Sequence, residues 1–472
     1  MTLSHLTDFS DRLSPMLVKE LRQGLRAKTF IAVFLALQIL LGIMLLSASA
    51  SSSSDQAGNV VSAMIFTFFS IAVLIVQPMR GVAVLSSEIK SNTIDMMVLT
   101  RLSAWRIVFG KWVAIVSQSA LILVTIIPYL ILRYFFGGMN LVGEIVFLSL
   151  LFFTSMALTA ITVGLSGSSS IIIRALIPLI GTPVLFFSMI AMTYGRGSSN
   201  LIDLCSLDSR DSVIAVTIYI FSLAYLGWSA LTLGASLIAP AAENHSTLRR
   251  LITLLLLLIL IPVILYSGID EGGLLLILFI LLVPALILAL TESNRLLPIS
   301  HLSWIKHPGL RGILGLGFNP GLASGIVFSV LISLVTVGIA LLHPAITSDT
   351  ENLIYIHVMI GALLFPAVIQ CFLFNGEGQR VSNYLLFLLG SGILASVLGA
   401  LTGAMSNRGF LWLFVWNPFV IWLMTAHSEF SNSDLLVCII TVDIILMILL
   451  LLKALQLIRA HNEIILEAER HT

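Results

Sequence analysis

Long apolar runs dominate this sequence and constrain its fold more than any other feature. One of them reads LILVTIIPYLIL at 121–132, and similar runs recur along the 472 residues, of which 58% are hydrophobic and only 10% are charged. Soluble domains carry about 25% charged residues, and a water-soluble fold could not cover this much apolar surface. Lipid is therefore the expected solvent for most of the chain.

Apolar segments of about 20 residues can cross a hydrocarbon core of about 30 Å as helices. Because the alternating pattern of a membrane barrel is absent, the sequence predicts an all-α polytopic membrane protein with about 12 transmembrane helices. The predicted spans lie near 29–49, 60–83, 107–131, 141–166, 174–194, 213–240, 251–267, 273–292, 322–343, 352–375, 382–404 and 435–458.

The apolar segment 409–426 is predicted to be a re-entrant or interfacial hairpin. Asn417-Pro418 interrupts it, and proline breaks a helix. Three tryptophans also lie along it, and tryptophan favours the membrane interface. Counting it as a thirteenth span would move the C-terminal Lys and Arg to the outer side, which fits the charge distribution less well.

The distribution of Lys and Arg predicts the orientation of the chain. With 12 spans and a cytoplasmic N-terminus, 20 of the 24 Lys and Arg fall on the cytoplasmic side, as the positive-inside rule requires. The four that would face outward are Arg133, Arg196, Arg210 and Arg408. Both termini are therefore predicted to be cytoplasmic. The first 15 residues are too polar for a signal peptide, so the first apolar run is expected to stay as a membrane anchor.

A basic amphipathic helix is predicted directly before the first span. Ser14-Pro15 is typical of a helix start. The following stretch places Leu17, Leu21 and Leu25 on one face and Arg22 and Arg26 on the other. A helix of this kind lies in the membrane interface. From the residues alone it is either a functional element or only a topology anchor.

A polar segment at 86–105, SSEIKSNTIDMMVLTRLSAW, separates the second and third predicted spans. Thr93 can cap a short helix, IDMMVL, and Asp95 falls in its first turn, where the helix dipole favours an acid. Ser103 is a candidate cap for the third span. The short helix could offer a rigid surface to a cytoplasmic protein or rest on lipid alone, and its shape does not decide between the two.

ELRQGLRAKTF before the first span, followed by SSEIKSNTIDMMVLTRLSAWRIVFGKW, resembles the permease subunit of type-2 ABC transporters over roughly residues 15–240. The matching positions are Glu88, Thr93, Ile94, Asp95, Leu99, Thr100, Leu102, Ser103, Gly110 and Lys111. The sequence departs from the family pattern at Asn92 and Arg101. The resemblance implies that 86–105 is a coupling segment that docks on a separate cytoplasmic ATPase.

The resemblance also assigns residues to roles. The ATPase-coupling residues would be Glu88, Thr93, Ile94, Asp95, Met97, Leu99, Leu102 and Ser103. The interfacial helix that transmits the motion would use Leu17, Glu20, Leu21, Arg22, Leu25 and Arg26. The implied location is a bacterial cytoplasmic (inner) membrane, and the implied activity is export. A second permease copy or a sister permease would complete the pore.

ATP and Mg²⁺ are expected on the partner subunit, with no cofactor in this chain. A phosphate-binding Walker A loop has the pattern G-x₄-G-K-[S/T]. Gly110-Lys111 is the only Gly-Lys pair, and Trp105 occupies the position of the first glycine. We therefore expect a transport subunit that is not itself an enzyme. The net charge of +1 gives no indication of a nucleic-acid partner.

Four regions are predicted along the chain. Residues 1–28 form the cytoplasmic amphipathic helix, and 29–240 form a six-helix permease-like domain. Residues 241–320 hold a two-helix hairpin and a cytoplasmic linker, and 321–472 form a second, degenerate membrane module that contains the 409–426 hairpin. The second half resembles the first only weakly, chiefly in the placement of Pro78 and Pro366.

Rival functions are a polytopic lipid-modifying enzyme or protease, and a carrier of a non-ABC type. GLSG at 164–167 resembles the motif of an intramembrane serine protease, which would need a histidine base near Ser166. His343 and His357 are expected beside an outer loop, whereas Ser166 is expected at the inner end of the fourth span. His301 and His307 lack a third metal ligand. No metal site is predicted.

Three polar residues are predicted inside spans. Asp443 is either a functional intramembrane acid or a hydrogen-bonded lock between helices. Gln38 and Gln118 are expected to hydrogen-bond neighbouring helices.

Overall fold

A computed structural model describes residues 15–50, 54–91, 103–135, 140–168, 170–175, 181–183, 205–240, 243–267, 270–292, 315–373, 380–404 and 408–470. Within these ranges the chain forms helices joined by turns, without a strand. Eleven helices in the described ranges are long and apolar enough to cross a membrane. The prediction of an all-α polytopic membrane protein is thereby confirmed. The predicted span near 174–194 lies mostly outside the described residues.

The chain divides into two compact units, Met1–Ala239 and Pro240–Thr472. The main helices of the first unit, in chain order, are α1 (Pro15–Leu25), α2 (Lys28–Ala50), α3 (Ser54–Ser70), α4 (Gln77–Gly81), α5 (Val84–Lys90), α6 (Ala104–Tyr134), α7 (Leu141–Leu165) and α8 (Arg210–Ile238). Its apolar core includes the fully buried side chains Phe69, Leu74, Ile122, Ile126 and Leu151.

A π-helical turn, Ile71–Val76, connects α3 to α4 within the second span. Pro78 follows at the start of α4, and a proline in a continuous α-helix would remove a backbone hydrogen bond and clash with the preceding turn. The wider turn relieves this conflict. The Ser155 hydroxyl on α7 donates to the Val73 carbonyl at 2.7 Å, which satisfies a polar group within the irregular turn.

Helices α7 and α8 approach each other closely because glycines line their contact. A Cβ atom added to Gly164 would lie 2.1 Å from the Ala230 carbonyl oxygen, and one added to Gly234 would lie 2.9 Å from the Gly164 Cα. Small residues at a crossing let two membrane helices bring their backbones together. The ends of α7 and α8 are therefore held in a fixed position beside α5 and α6.

Cys205 lies just before α8, between the spanning helices, and is 1% exposed. Burial raises the pKa of its thiol to about 11, and the thiolate is the form that reacts with alkylating agents. We expect a maleimide to leave Cys205 unlabelled in the folded protein at about pH 7 and still at about pH 9, because the thiol remains protonated and covered. Mass spectrometry of the single-cysteine protein checks this, with full labelling after unfolding.

The matched control for Cys205 is Asp208→Cys, three residues further on and exposed. In a background in which all native cysteines are serine, this thiol should be labelled rapidly, at a rate that rises with pH near the ordinary thiol pKa of about 8.5. Equal labelling rates for the two thiols in the folded protein would mean that Cys205 is not buried as described.

The helices of the second unit are α9 (Ser246–Ser267), α10 (Glu271–Leu290), α11 (Leu322–Ala340), α12 (Pro344–Ser348), α13 (Thr350–Leu373), α14 (Arg380–Ala404), α15 (Pro418–Thr425) and α16 (Asn432–Arg470). Where the sequence predicts a hairpin, a 3₁₀ helix at Gly409–Phe414 precedes α15. The eight residues of α15 extend only about 12 Å, far short of a hydrocarbon core of about 30 Å.

Asn417 fixes the start of α15. Its side-chain oxygen accepts a hydrogen bond from the Phe419 amide at 3.1 Å, and its side-chain nitrogen donates to the Ser391 carbonyl of α14 at 3.0 Å. Pro418 occupies the first helical turn, where its missing N–H costs nothing. Asn417-Pro418 therefore begins a short helix and ties it to α14.

Candidate functional site

The short helix α5, which contains Glu88, is anchored at its first turn by Ser166. The Leu85 amide donates to the Ser166 hydroxyl at 3.1 Å, and this hydroxyl donates to the Val163 carbonyl at 2.6 Å. The first amides of a helix have no partner within the helix, so a buried side-chain acceptor stabilises that end. Leu85 itself is fully buried. The serine of the GLSG motif therefore holds α5 against the end of α7.

A buried lysine connects three helices of the first unit. The Lys111 ammonium group on α6 lies 3.0 Å from a carboxylate oxygen of Glu20 on α1 and 3.0 Å from one of Glu88 on α5. The Lys111 side chain is 4% exposed, whereas those of Glu20 and Glu88 are 17% and 20% exposed. We call these three residues the Lys111 cluster. It joins α1 to α5, the helix in which the polar 86–105 segment begins.

A second polar contact holds α1 along α6. Gly24 lies directly against Gln118, since a Cβ atom added to Gly24 would lie 2.2 Å from the Gln118 amide nitrogen. Gln118 also accepts a hydrogen bond from Arg80 of α4. Lys111 and Gln118 are seven residues apart on α6 and so lie on one helix face. A larger side chain at position 24 would displace the Gln118 amide from its present position.

The outer face of α1 is polar and open. Leu17, Leu21 and Leu25 are half-buried, whereas Arg22 and Arg26 are exposed. A shallow depression of about 650 Å³ runs along this face and is lined by Val18, Lys19, Arg22, Gln23 and Arg26. One side of α1 therefore packs on the membrane helices, and the other presents a basic surface.

The structure places only part of the predicted coupling segment. Glu88 lies in the Lys111 cluster. Ser103 occupies the N-cap position of α6, but its side chain makes no hydrogen bond there. The remaining predicted contact residues, Thr93, Ile94, Asp95, Met97, Leu99 and Leu102, lie outside the described residues.

The pairing of Lys111 with Glu20 was missed by sequence reasoning. Glu20 is three residues from Leu17 and four from Gly24, so it falls on the packed face of α1, where an unpaired acid would be costly. Its position on the packed face indicates that Glu20 needs a partner, but it does not identify Lys111, which is 91 residues away.

The predicted intramembrane polar residues contact other helices. The Tyr129 hydroxyl on α6 donates to the Gln38 side chain on α2 at 2.8 Å. The Asp443 carboxylate on α16 lies 2.9 Å from Nδ1 of His357 on α13. The expectation that His357 lies beside an outer loop is wrong. It is seven residues after the first residue of α13, about two helical turns from the preceding loop.

Arg133, in the last turn of α6, is 1% exposed. Its Nε donates to the Ser62 hydroxyl at 2.6 Å, and the Ser62 hydroxyl donates to Glu144 at 3.0 Å. Arg133 and Glu144 form a buried ion pair at 3.7 Å. The predicted third span ends near residue 131, which places Arg133 in the following loop. In the structure α6 continues to Tyr134, and Arg133 is buried in its last turn.

The second unit contains a buried arginine cluster that sequence reasoning also missed. Arg250 on α9 donates to the carbonyls of Gly317 at 2.7 Å and Asn319 at 2.6 Å, and to the Ser324 hydroxyl at 3.0 Å. It also pairs with the Glu292 carboxylate at 2.7 Å. Glu292 in turn accepts from the Gly321 amide at 2.9 Å. Arg250 thus fixes the chain that leads into α11.

Among the described residues, no group of three or more His, Cys, Asp or Glu side chains could hold a metal ion. His301 and His307 lie outside the described ranges. Comparison with known family models, curated proteins and solved structures finds no match to this chain.

Proposed function

We propose that this chain is the membrane-spanning permease subunit of an ATP-driven transporter of the ABC type, acting with a separate cytoplasmic ATPase. The observation that carries the proposal is the Lys111 cluster. It joins an interfacial helix, a membrane helix and the beginning of the segment whose sequence resembles a coupling helix. A displacement of that segment would therefore be transmitted to both α1 and α6.

Packing around α5 supports such a transmission path. The Ser166 contact and the buried Leu85 hold its first turn, and Lys111 holds Glu88 one turn further on. A helix anchored at both points moves with its neighbours as one body. Closure of a docked ATPase dimer on ATP would then displace α1 and α6 together and change the shape of the cavity between permease subunits. Mg²⁺ and ATP would bind the partner subunit.

The proposed orientation places α1, α5 and both termini in the cytoplasm, in a bacterial inner membrane. Positive-inside charge bias supports this orientation. The basic face of α1 would then meet anionic headgroups or the ATPase, and the proposed direction of transport is export. A second copy of this chain or a sister permease would complete the pathway.

The test is photo-crosslinking from the exposed end of α5. Lys90 is exposed and lies two residues from Glu88, so a photo-crosslinking amino acid in its place should form an adduct with an ATPase of the ABC type in native membranes. Mass spectrometry of the adduct identifies the partner. The matched control carries the same amino acid in place of Asp208, which is exposed and predicted to face outward, and should give no such adduct.

A further inference from the structure

A buried histidine–carboxylate pair lies in the second unit. His357 Nδ1 and Asp443 Oδ2 are 2.9 Å apart, and the two side chains are 15% and 4% exposed. Asp443 is eleven residues after the first residue of α16, roughly 16 Å along the helix axis. Both residues therefore lie well within spanning helices, where a charged side chain is costly.

The second oxygen of Asp443 has no hydrogen-bond partner. Asp443 Oδ1 is buried and unpaired, and it lies against Gly361, which the Pro418 ring also approaches. A Cβ atom added to Gly361 would be 2.5 Å from Oδ1 and 3.0 Å from the Pro418 ring. An ionised carboxylate in this position leaves an unsatisfied negative charge in apolar surroundings.

We propose that His357 and Asp443 form a proton-binding site within the membrane. With a neutral imidazole that donates its Nδ1 hydrogen, the pair carries one negative charge, and one added proton makes it neutral. Loading transfers a proton from a hydronium ion to the pair and leaves water, and the proton comes to rest on the Asp443 carboxylate, where one O–H bond forms. Unloading returns that proton to water. The more exposed His357 is the member through which the proton enters.

A proton fits this site better than a metal ion. Zn²⁺ sites use three or four protein ligands and Ca²⁺ takes six to eight oxygens, whereas the described residues supply no third acid or histidine close to the pair. A single proton is enough to neutralise the Asp443 carboxylate.

Other ionisable groups on the helices around the pair have their own partners. Glu351 bonds Tyr355, Glu271 accepts from Asn352, Tyr384 donates to the Leu363 carbonyl, and Arg380 donates to the Glu292 carbonyl. Cys371 is fourteen residues beyond His357 on α13, roughly 21 Å away along the axis. Helices α11 and α15 carry no ionisable side chain. On α16 itself, Asp434, Cys438 and Lys453 are the nearest such groups.

The charge of the site can affect the packing of α15, because Gly361 lies beside both Asp443 and Pro418. Because Gly361 brings both Oδ1 and the Pro418 ring close to the same point, neutralising the carboxylate lowers the cost of burying it beside the start of α15. Proton loading should therefore favour the close packing of α15 on α13 and α16. The second unit would therefore bind a proton as its ligand, and this binding does not depend on an ATPase.

The experiment is infrared difference spectroscopy of the full chain in lipid nanodiscs between roughly pH 4 and pH 9, the range in which carboxyl and imidazole groups titrate. We expect a pH-dependent carbonyl band of a buried carboxylic acid that shifts in D₂O. Asp443→Asn should abolish this band. In His357→Leu the acid band should change in frequency, because the carboxyl group has lost the imidazole as its hydrogen-bond partner.

Glu144→Gln is the control, since it removes another buried acid, from the first unit, and should leave the Asp443 band unchanged. An unaltered difference spectrum in Asp443→Asn would overturn the proposal. So would an acid band in His357→Leu with the same frequency as in the unsubstituted chain. The second result decides the matter even if Asp443→Asn fails to fold.

Discussion

Replacing Lys111 with Met should destabilise the first unit by about 3 kcal/mol, because Glu20 and Glu88 would remain close together without their cation. Methionine keeps most of the side-chain volume, so the loss reflects charge and not a cavity. The readout is the temperature at which buried Cys205 becomes reactive, with Cys371 and Cys438 replaced by serine. The midpoint should fall by roughly 6 °C or more.

Lys90→Met is the matched control for this experiment. Lys90 lies on the same helix as Glu88 but is exposed, so its loss should change stability by no more than about 0.5 kcal/mol. Equal effects of Lys90→Met and Lys111→Met would show that the Lys111 cluster contributes no specific stabilisation.

A triple variant separates the stability of the cluster from its role in coupling. Lys111→Met combined with Glu20→Gln and Glu88→Gln removes all three charges, so much of the lost stability should return. The connection between α1, α5 and α6 would still be weakened. We therefore expect this variant to fold but to support little transport-linked ATP hydrolysis in complex with the proposed ATPase. Full hydrolysis coupling would contradict the transmission path through Lys111.

Replacing Arg250 with Met should have the largest effect in the second unit, a loss of about 4 kcal/mol. The substitution removes the donor to two carbonyls and a hydroxyl and leaves the Glu292 carboxylate without its closest partner. Buried acceptors that lose their donors incur their full desolvation cost. The reporter is Cys371, which is buried in the same unit, with Cys205 and Cys438 replaced by serine.

The neighbouring Arg249→Met provides an internal comparison. Arg249 is 5% exposed, nearly as buried as Arg250. However, it reaches Glu292 only at 3.3 Å and Ser246 at 3.4 Å, and its Nη1 has no partner. Its replacement should therefore cost clearly less, and the Cys371 midpoint should fall less than in Arg250→Met. The reverse order would mean that the hydrogen bonds to residues 317–324 do not stabilise this unit.

The spanning helices were predictable because each depends on a local quantity, the apolar content of about 20 consecutive residues. The two faces of α1 were predictable for the same reason, since Leu17, Leu21 and Leu25 repeat with helical spacing. The sequence also indicated that the 409–426 hairpin is interrupted at Asn417-Pro418, where the 3₁₀ helix and α15 are separate.

Polar contacts between distant helices were not predictable in the same way. Lys111 and Glu20 are 91 residues apart, and His357 and Asp443 are 86 apart. Which polar residues meet depends on the depth and rotation of each helix, and these follow from packing features such as Gly24 against Gln118. Hydropathy gives neither quantity, because a spanning segment remains apolar through any rotation about its axis.

The central claim of the proposal is that a separate ATPase docks on the polar segment that begins at α5 and thereby displaces the helices of this chain. The most direct measurement is the crosslink from position 90 in membranes with and without ATP. We predict an adduct with an ABC-type ATPase whose yield changes when ATP binds. A position-90 probe that crosslinks only lipid, or that reacts only from the outer side of the membrane, would contradict the claim.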